Sequence, residues 1–208
     1  SRYGFSLGWV WIKKGDTTRS NNTFGIVRGA NKPLFTDLTL AELSDGRLTS
    51  FDSTGFTLDS DNAVNDTNGS YVGFAWDGGT STVSNTDGSI TSSVRANASA
   101  GFSICTYTGS TGNQSFGHGL NAAPKFIAIK NRSNAANWFV MVDIGTTYLK
   151  YGHLNTTDAF GDATAQSVSS STVTLGNNNA WFGANGDNYV AYCFAPVAGY
   201  SAFGSYTG

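Results

Sequence analysis

Tyr71-Val72-Gly73-Phe74-Ala75-Trp76 and Tyr189-Val190-Ala191-Tyr192-Cys193-Phe194 are one pattern written twice, 118 positions apart. Each is a short run of aromatic and apolar residues without Pro or charge, which reads as a strand. Working outward, Ile12-Lys13 returns as Ile129-Lys130, and Phe56-Thr57-Leu58 returns as Val173-Thr174-Leu175, both at a spacing of 117. Three matches in one order and nearly one register argue for two copies of a β-rich module. A repeated surface multiplies contacts without adding chemistry, which favours binding, adhesion or assembly over catalysis.

The remaining strand signals fit the same plan. Gly8-Trp9-Val10-Trp11-Ile12-Lys13, Thr23-Phe24-Gly25-Ile26-Val27, Lys32-Pro33-Leu34-Phe35 and Leu48-Thr49-Ser50-Phe51 belong to the first copy. Gly101-Phe102-Ser103-Ile104, Phe126-Ile127-Ala128-Ile129-Lys130, Trp138-Phe139-Val140-Met141-Val142 and Tyr148-Leu149-Lys150-Tyr151 belong to the second. No window of a dozen residues keeps a 3.6 period, so little helix is expected. Leu38, Leu40 and Leu43 mark a helical turn or an ordered loop. The expected fold is all-β, with two tandem related antiparallel β-sandwich modules of jelly-roll or lectin-like kind. Their bounds are 1–76 and 101–208. The Gly-, Ser-, Thr- and Asn-rich stretch 77–100 between them reads as a linker or a small hairpin arm, with Asp87-Gly88 as its turn signal. Phe203-Gly204-Ser205-Tyr206-Thr207-Gly208 echoes Ile104-Cys105-Thr106-Tyr107-Thr108-Gly109. The chain, opening at Ser1-Arg2-Tyr3, therefore reads as cut from something longer, with a further module beginning where it stops.

Composition narrows the function. Charged residues are 12% of the chain, against roughly 25% in ordinary soluble domains, and uncharged polar residues keep the surface wet instead. Aromatics at 13% supply bulk for a core. A net charge of −2 and the lack of any Lys/Arg run argue against a nucleic-acid binder. No apolar stretch approaches the roughly 18 residues of a membrane span. Cys105 and Cys193 both sit in alternating strand-like runs and read as buried free thiols rather than a disulfide.

Candidate chemistry is sparse. His118 lies in a Gly-flanked turn without Cys or His neighbours that would suggest zinc, and His153 reads as a surface residue at a strand end. Glu42 is the only glutamate, and nothing singles out two carboxylates among Asp37, Asp45, Asp52, Asp59, Asp61 and Asp66 for glycoside hydrolysis. The expectation is a non-enzymatic protein with no catalytic residues and no cofactor, calcium excepted. Asp59, Asp61, Asn62 and Asp66 gather oxygen donors in one loop, as calcium requires. Asp and Asn are also the ordinary residues of turns, and turn chemistry is the preferred reading of that loop. Trp9 and Trp11 share one strand face and Val10 and Ile12 the other. If the first pair is exposed it forms a ligand platform; the preferred reading places it in the core. Trp181, at a loop, is the third candidate for ligand stacking.

Longer segments carry a resemblance. These are Trp11-Ile12-Lys13, Val27-Arg28-Gly29-Ala30-Asn31-Lys32, Leu48-Thr49-Ser50-Phe51-Asp52-Ser53, Ala100-Gly101-Phe102-Ser103-Ile104, Gly117-His118-Gly119-Leu120, Ala123-Pro124-Lys125-Phe126-Ile127 and Ile129-Lys130-Asn131-Arg132-Ser133. Together with the two strands quoted first, they make the chain resemble an uncharacterised repeat domain of bacteriophage tail-fibre and other virion structural proteins, many of them marine. That resemblance implies a virion location and a tail-fibre or adhesin role in host attachment. It implies other virion chains as partners, a homo-oligomer such as a trimer, and a bacterial surface glycan as a further partner. A carbohydrate-binding lectin-like module is the alternative, and a capsid decoration or head fibre a third. One departure is visible: the family often has Asp where Gly25 stands, while Asp143 keeps a carboxylate in the second copy.

Overall fold

The computed structural model describes residues 4–53 and 55–208; Thr54 and Ser1-Arg2-Tyr3, which open the first expected module, lie outside the described residues. In chain order the strands are β1 (Leu7–Lys14), β2 (Asn22–Gly25), β3 (Leu34–Phe35), β4 (Leu48–Phe51), β5 (Phe56–Leu58), β6 (Tyr71–Asp77), β7 (Thr82–Asn85), β8 (Ser92–Asn97) and β9 (Phe102–Thr108). They continue as β10 (Gln114–Gly117), β11 (Phe126–Asn131), β12 (Phe139–Val142), β13 (Leu149–His153), β14 (Gly161–Ala163), β15 (Ser167–Val168), β16 (Thr172–Gly176) and β17 (Asn188–Phe194). One 3-10 turn, Ile26–Arg28, is the only helical element among the described residues. The protein is all-β, and its named strands pair antiparallel.

A small sheet runs β3-β2-β1-β6 and a large one β14-β13-β12-β11-β17-β9-β8-β7; β4-β5 and β10-β16-β15 are satellites. The apolar clusters show how they stack. Trp9 and Leu34 of the small sheet meet Phe102, Ile104, Ala128, Trp138, Val140, Val190 and Tyr192 of the large one. On the small sheet's other face, Val10, Ile12 and Phe24 pack with Leu48, Phe51, Phe56 and Leu58. On the large sheet's other face, Val94, Cys105, Ile127, Ile129, Phe139 and Cys193 pack with Phe116, Val173 and Leu175.

Strand β1 therefore lies between two layers, and the choice between its faces dissolves: both are covered. Trp9, Val10 and Ile12 are all buried and Trp11 is half-buried. The stretch 77–100 contains the β7–β8 hairpin, which pairs Val83 with Val94 and Val94 with Cys105. It is part of the large sheet and contributes Val94 to the core. The Leu38–Leu43 segment is an ordered loop without a helical turn. Its backbone is fastened to the connection between β11 and β12: Glu42 N–H donates to Arg132 O at 3.0 Å and Ala136 N–H to Thr39 O at 2.9 Å.

Pairing registers recur at the sequence spacing. Trp9 opposes Gly25 and Phe126 opposes Val142; Ile12 opposes Asn22 and Ile129 opposes Phe139. Trp9 opposes Trp76 and Phe126 opposes Phe194; Ile12 opposes Gly73 and Ile129 opposes Ala191. Phe51 opposes Phe56 as Val168 opposes Val173. Beyond β17 the large sheet adds β9, whereas β6 ends the small sheet.

Candidate functional site

An aromatic cleft of about 480 Å³ opens where the two large layers meet at one end. The end of β6 supplies Trp76 and Asp77, the start of β9 Phe102, the end of β17 Phe194, and the C-terminal segment Tyr200, Ser201 and Phe203. Phe5 closes it from the N-terminal side. The floor is built by ring packing: Phe102 and Phe194 lie 4.9 Å apart, and Trp76 sits 6.3 Å from each. Trp76 is itself held by Trp9, stacked at 4.2 Å, which stacks in turn on Tyr192 at 4.4 Å. The rim is open to water, with Tyr200 76% and Phe203 40% exposed.

Polar groups in the cleft are few. Asp77 Oδ1 accepts Gly79 N–H at 2.7 Å, and Ser201 Oγ accepts Val197 N–H at 3.2 Å. An apolar floor with a small number of polar groups is the usual anatomy of a small-ligand site. Rings with one exposed face suit the apolar side of a sugar or a partner's aromatic residue. Asp77 is the one carboxylate among the described lining residues.

The sequence candidates fall elsewhere. Trp9 is buried beneath the cleft floor, and Trp11 is half-buried, 5.9 Å from Phe74. Trp181 is half-buried on the far side of the large sheet, with the His153 ring edge-on at 4.5 Å. It lines a separate depression of about 250 Å³ with Asp162, Gln166 and Asn179. The calcium candidates each engage protein partners. Asp59 Oδ1 accepts Ser60 N–H, and Asp61 accepts Ala63 N–H and faces Arg47 Nε at 3.4 Å. Asp66 takes the Lys14 ammonium at 2.8 Å, and the Asn62 carbonyl accepts the Tyr71 hydroxyl. Among the described residues no group of three His, Cys, Asp or Glu could hold a metal ion. Asp143 pairs with Lys125 at 2.6 Å. Gly25, 118 positions earlier, faces Arg28 Nε and the Tyr192 hydroxyl, each 3.5 Å from where a Cβ would stand.

Sequence reading missed a polar network in the layer between the sheets. Glu42 accepts from Arg28 Nη1 at 2.6 Å and from Arg132 Nε and Nη2 at 3.0 and 2.8 Å. Burial alone would raise its carboxyl; the bonds from Arg132 and the charge of Arg28 outweigh that and hold it below the usual range. Lys130 is fully buried and, among the described residues, pairs with no carboxylate. Its ammonium donates to the carbonyls of Thr39 at 3.1 Å and Asn131 at 3.0 Å, and desolvation pushes it down to about 8. Period-two alternation could have found this lysine, because it shares a face with Ala128. The Arg–Glu–Arg bridge had no local signal.

His118 is a structural residue. Leu120 N–H donates to Nδ1 at 3.3 Å, so Nε2 carries the hydrogen, which points at Ser169 O, and burial lowers the ring's basicity. Cys105 and Cys193 are free and wholly buried, and burial pushes the Cys193 thiol up.

The fold and cleft define a layered antiparallel β protein with an open aromatic groove; among the described residues no helix is long and apolar enough to cross a membrane. The model of one family, described as a domain of unknown function (DUF7483), matches residues 1–208, and the chain belongs to that family. No curated protein and no solved structure matches the chain.

Proposed function

We propose that the chain is a non-enzymatic structural module of a bacteriophage virion, part of a tail fibre or adhesin that contacts the host surface. The observation that carries this reading is the repeated register: β2-β1-β6 and β12-β11-β17 pair residue for residue at spacings of 117 and 118. We infer two tandem related modules packed face to face, a construction that extends a rigid scaffold by repetition. A surface poor in charge and rich in Gly, Ser, Thr and Asn suits sister chains stacking as a homo-oligomer, with a trimer the expectation for a fibre. Cryo-electron microscopy of the assembly containing the chain tests the location. Density in appendages supports the reading. Density coating the shell moves the chain to the capsid-decoration or head-fibre alternative, and absence from the particle ends the virion reading.

A second reading, a lectin-like module for a bacterial surface glycan, is favoured by the exposed Tyr200 and Phe203 above Trp76. The two readings are compatible, since a fibre tip can itself bind sugar. NMR titration of wild type and Tyr200→Ala with a panel of bacterial glycans tests it. Shifts at Trp76 and Phe102 that vanish in the variant support the cleft, and an unperturbed spectrum across the panel removes it.

A further inference from the structure

Among the described residues the small sheet ends at β6, where the large sheet continues past β17. In the large sheet, β17 is covered on its outer side by β9, which pairs Tyr107 with Tyr189 and Ile104 with Tyr192. In the small sheet the corresponding strand β6 is an edge, and its Val72 and Phe74 are 52% and 51% exposed. A free edge with exposed apolar side chains is a template for another strand.

The C-terminal segment carries a strand-like sequence without strand structure. Phe203-Gly204-Ser205-Tyr206-Thr207-Gly208 follows the pattern of Ile104-Cys105-Thr106-Tyr107-Thr108-Gly109, the segment whose first five residues lie in β9. Yet residues 202–208 form no strand and are all exposed, Tyr206 almost completely. The segment passes Trp76 at the cleft without pairing to its own β6.

We propose that residues Phe203–Gly208 of one copy add antiparallel to the β6 edge of a second copy, in the register β9 holds with β17. Carrying the pairs of β9 over places Phe203 opposite Phe74, Ser205 opposite Val72 and Tyr206 opposite Tyr71. The first juxtaposition covers two exposed rings at once. The last repeats the stack of Tyr107 on Tyr189, at 5.3 Å in the large sheet. Main-chain bonds supply the affinity and the side-chain pairs the register, as in other strand additions. The donor segment and the acceptor edge are different surfaces, so the contact is heterologous and, where the rotation does not close, propagates as a filament. The proposal rests on the repeat correspondence and not on host contact.

Two single substitutions at exposed positions test it without touching either core. Phe203→Asp removes the donor and keeps the edge, whereas Phe74→Asp removes the edge and keeps the donor. Light scattering coupled to size exclusion, across a concentration series of the full chain, reads the mass. The expected result is concentration-dependent association of wild type, monomers for either variant alone, and a species of twice the monomer mass when the two are mixed in equal amounts. Only complementation between different surfaces rescues a mixture of two mute variants. A wild type that stays monomeric, as it would if the tail folded onto its own edge, overturns the proposal. So do oligomers that persist in either variant, or a mixture that stays monomeric. None of these outcomes bears on where the chain sits in a particle; because Phe203 also lines the cleft, sugar binding is read separately through Tyr200→Ala, which lies outside the donor segment, so the readings fail separately.

Discussion

Replacing Lys130 by Met is expected to stabilise the protein at neutral pH, and to do so less as the pH rises. The ammonium is fully buried in the layer between the sheets and bonded only to the Thr39 and Asn131 carbonyls. Desolvation brings its pKa from an ordinary 10.5 to about 8. At about 1.4 kcal/mol for each tenfold change in proton affinity, keeping the charge inside costs about 3 kcal/mol at pH 7. Between pH 8 and 10.5 the unfolded chain holds a proton that the folded chain has shed, so the stability of wild type rises with pH across that window. Methionine keeps the length of the stem and removes the charge. Against the gain stands the lost bond to the Asn131 carbonyl, about 1 kcal/mol; Thr39 O keeps the Ala136 N–H. The net expectation at pH 7 is a gain of about 2 kcal/mol, read as urea unfolding of both proteins at pH 7 and pH 10. Taking the difference between the two cancels tyrosines and other groups that titrate in the same range. The variant's advantage should shrink by more than 1 kcal/mol, roughly, between the two pH values. An advantage of equal size at both, or a destabilised variant at pH 7, refutes the argument.

Glu42→Gln strands two arginines, and because Arg132 is partly exposed the expected loss is about 3 kcal/mol at pH 7. The native carboxyl is held below its usual range, so its contribution is present above the unfolded pKa and lost as pH falls through the lower folded value; wild type and variant should converge in acid denaturation. Trp138 Nε1 donates to Phe35 O at 2.7 Å across the layers, and Trp138→Phe should lower unfolding free energy by about 2 kcal/mol through the lost bond and the void. A cost under about 0.5 kcal/mol would mean that the layers are not held there. Neither cysteine should react with a thiol reagent in the native protein, and both should react in denaturant; a native thiol that titrates promptly contradicts their burial.

The alternation around Trp9 announced a strand, and the spacings of 117 and 118 reappear in the pairing registers of β2-β1-β6 and β12-β11-β17. What the alternation could not say is that Trp9 and Val10 are both buried, because that depends on which sheet crosses which. Arg28, Glu42 and Arg132 meet from three segments, with Glu42 and Arg132 separated by 90 positions, and each residue alone looks like a solvated charge. The cleft was illegible for the same reason: Trp76, Phe102, Phe194 and Tyr200 belong to separate segments, each a plausible core or turn residue. The tail's likeness to Ile104–Gly109 needs no tertiary knowledge, yet residues 202–208 form no strand; that β9 flanks β17 on the large sheet depends on the topology and was not legible.

The aromatic stack around Trp9 has an optical consequence. Trp9 and Trp76 lie on adjacent strands of the small sheet at 4.2 Å, close enough for their indole transitions to couple into a paired circular-dichroism band. Tyr192, stacked on Trp9 from the large sheet at 4.4 Å, shields the same ring from water across the layer boundary. The two signals respond to different events. Parting of the layers exposes Trp9 and shifts its emission while the indole couplet survives, and dissolution of the small sheet extinguishes the couplet itself. The protein thus carries its own two-colour gauge of whether its halves come apart before they melt.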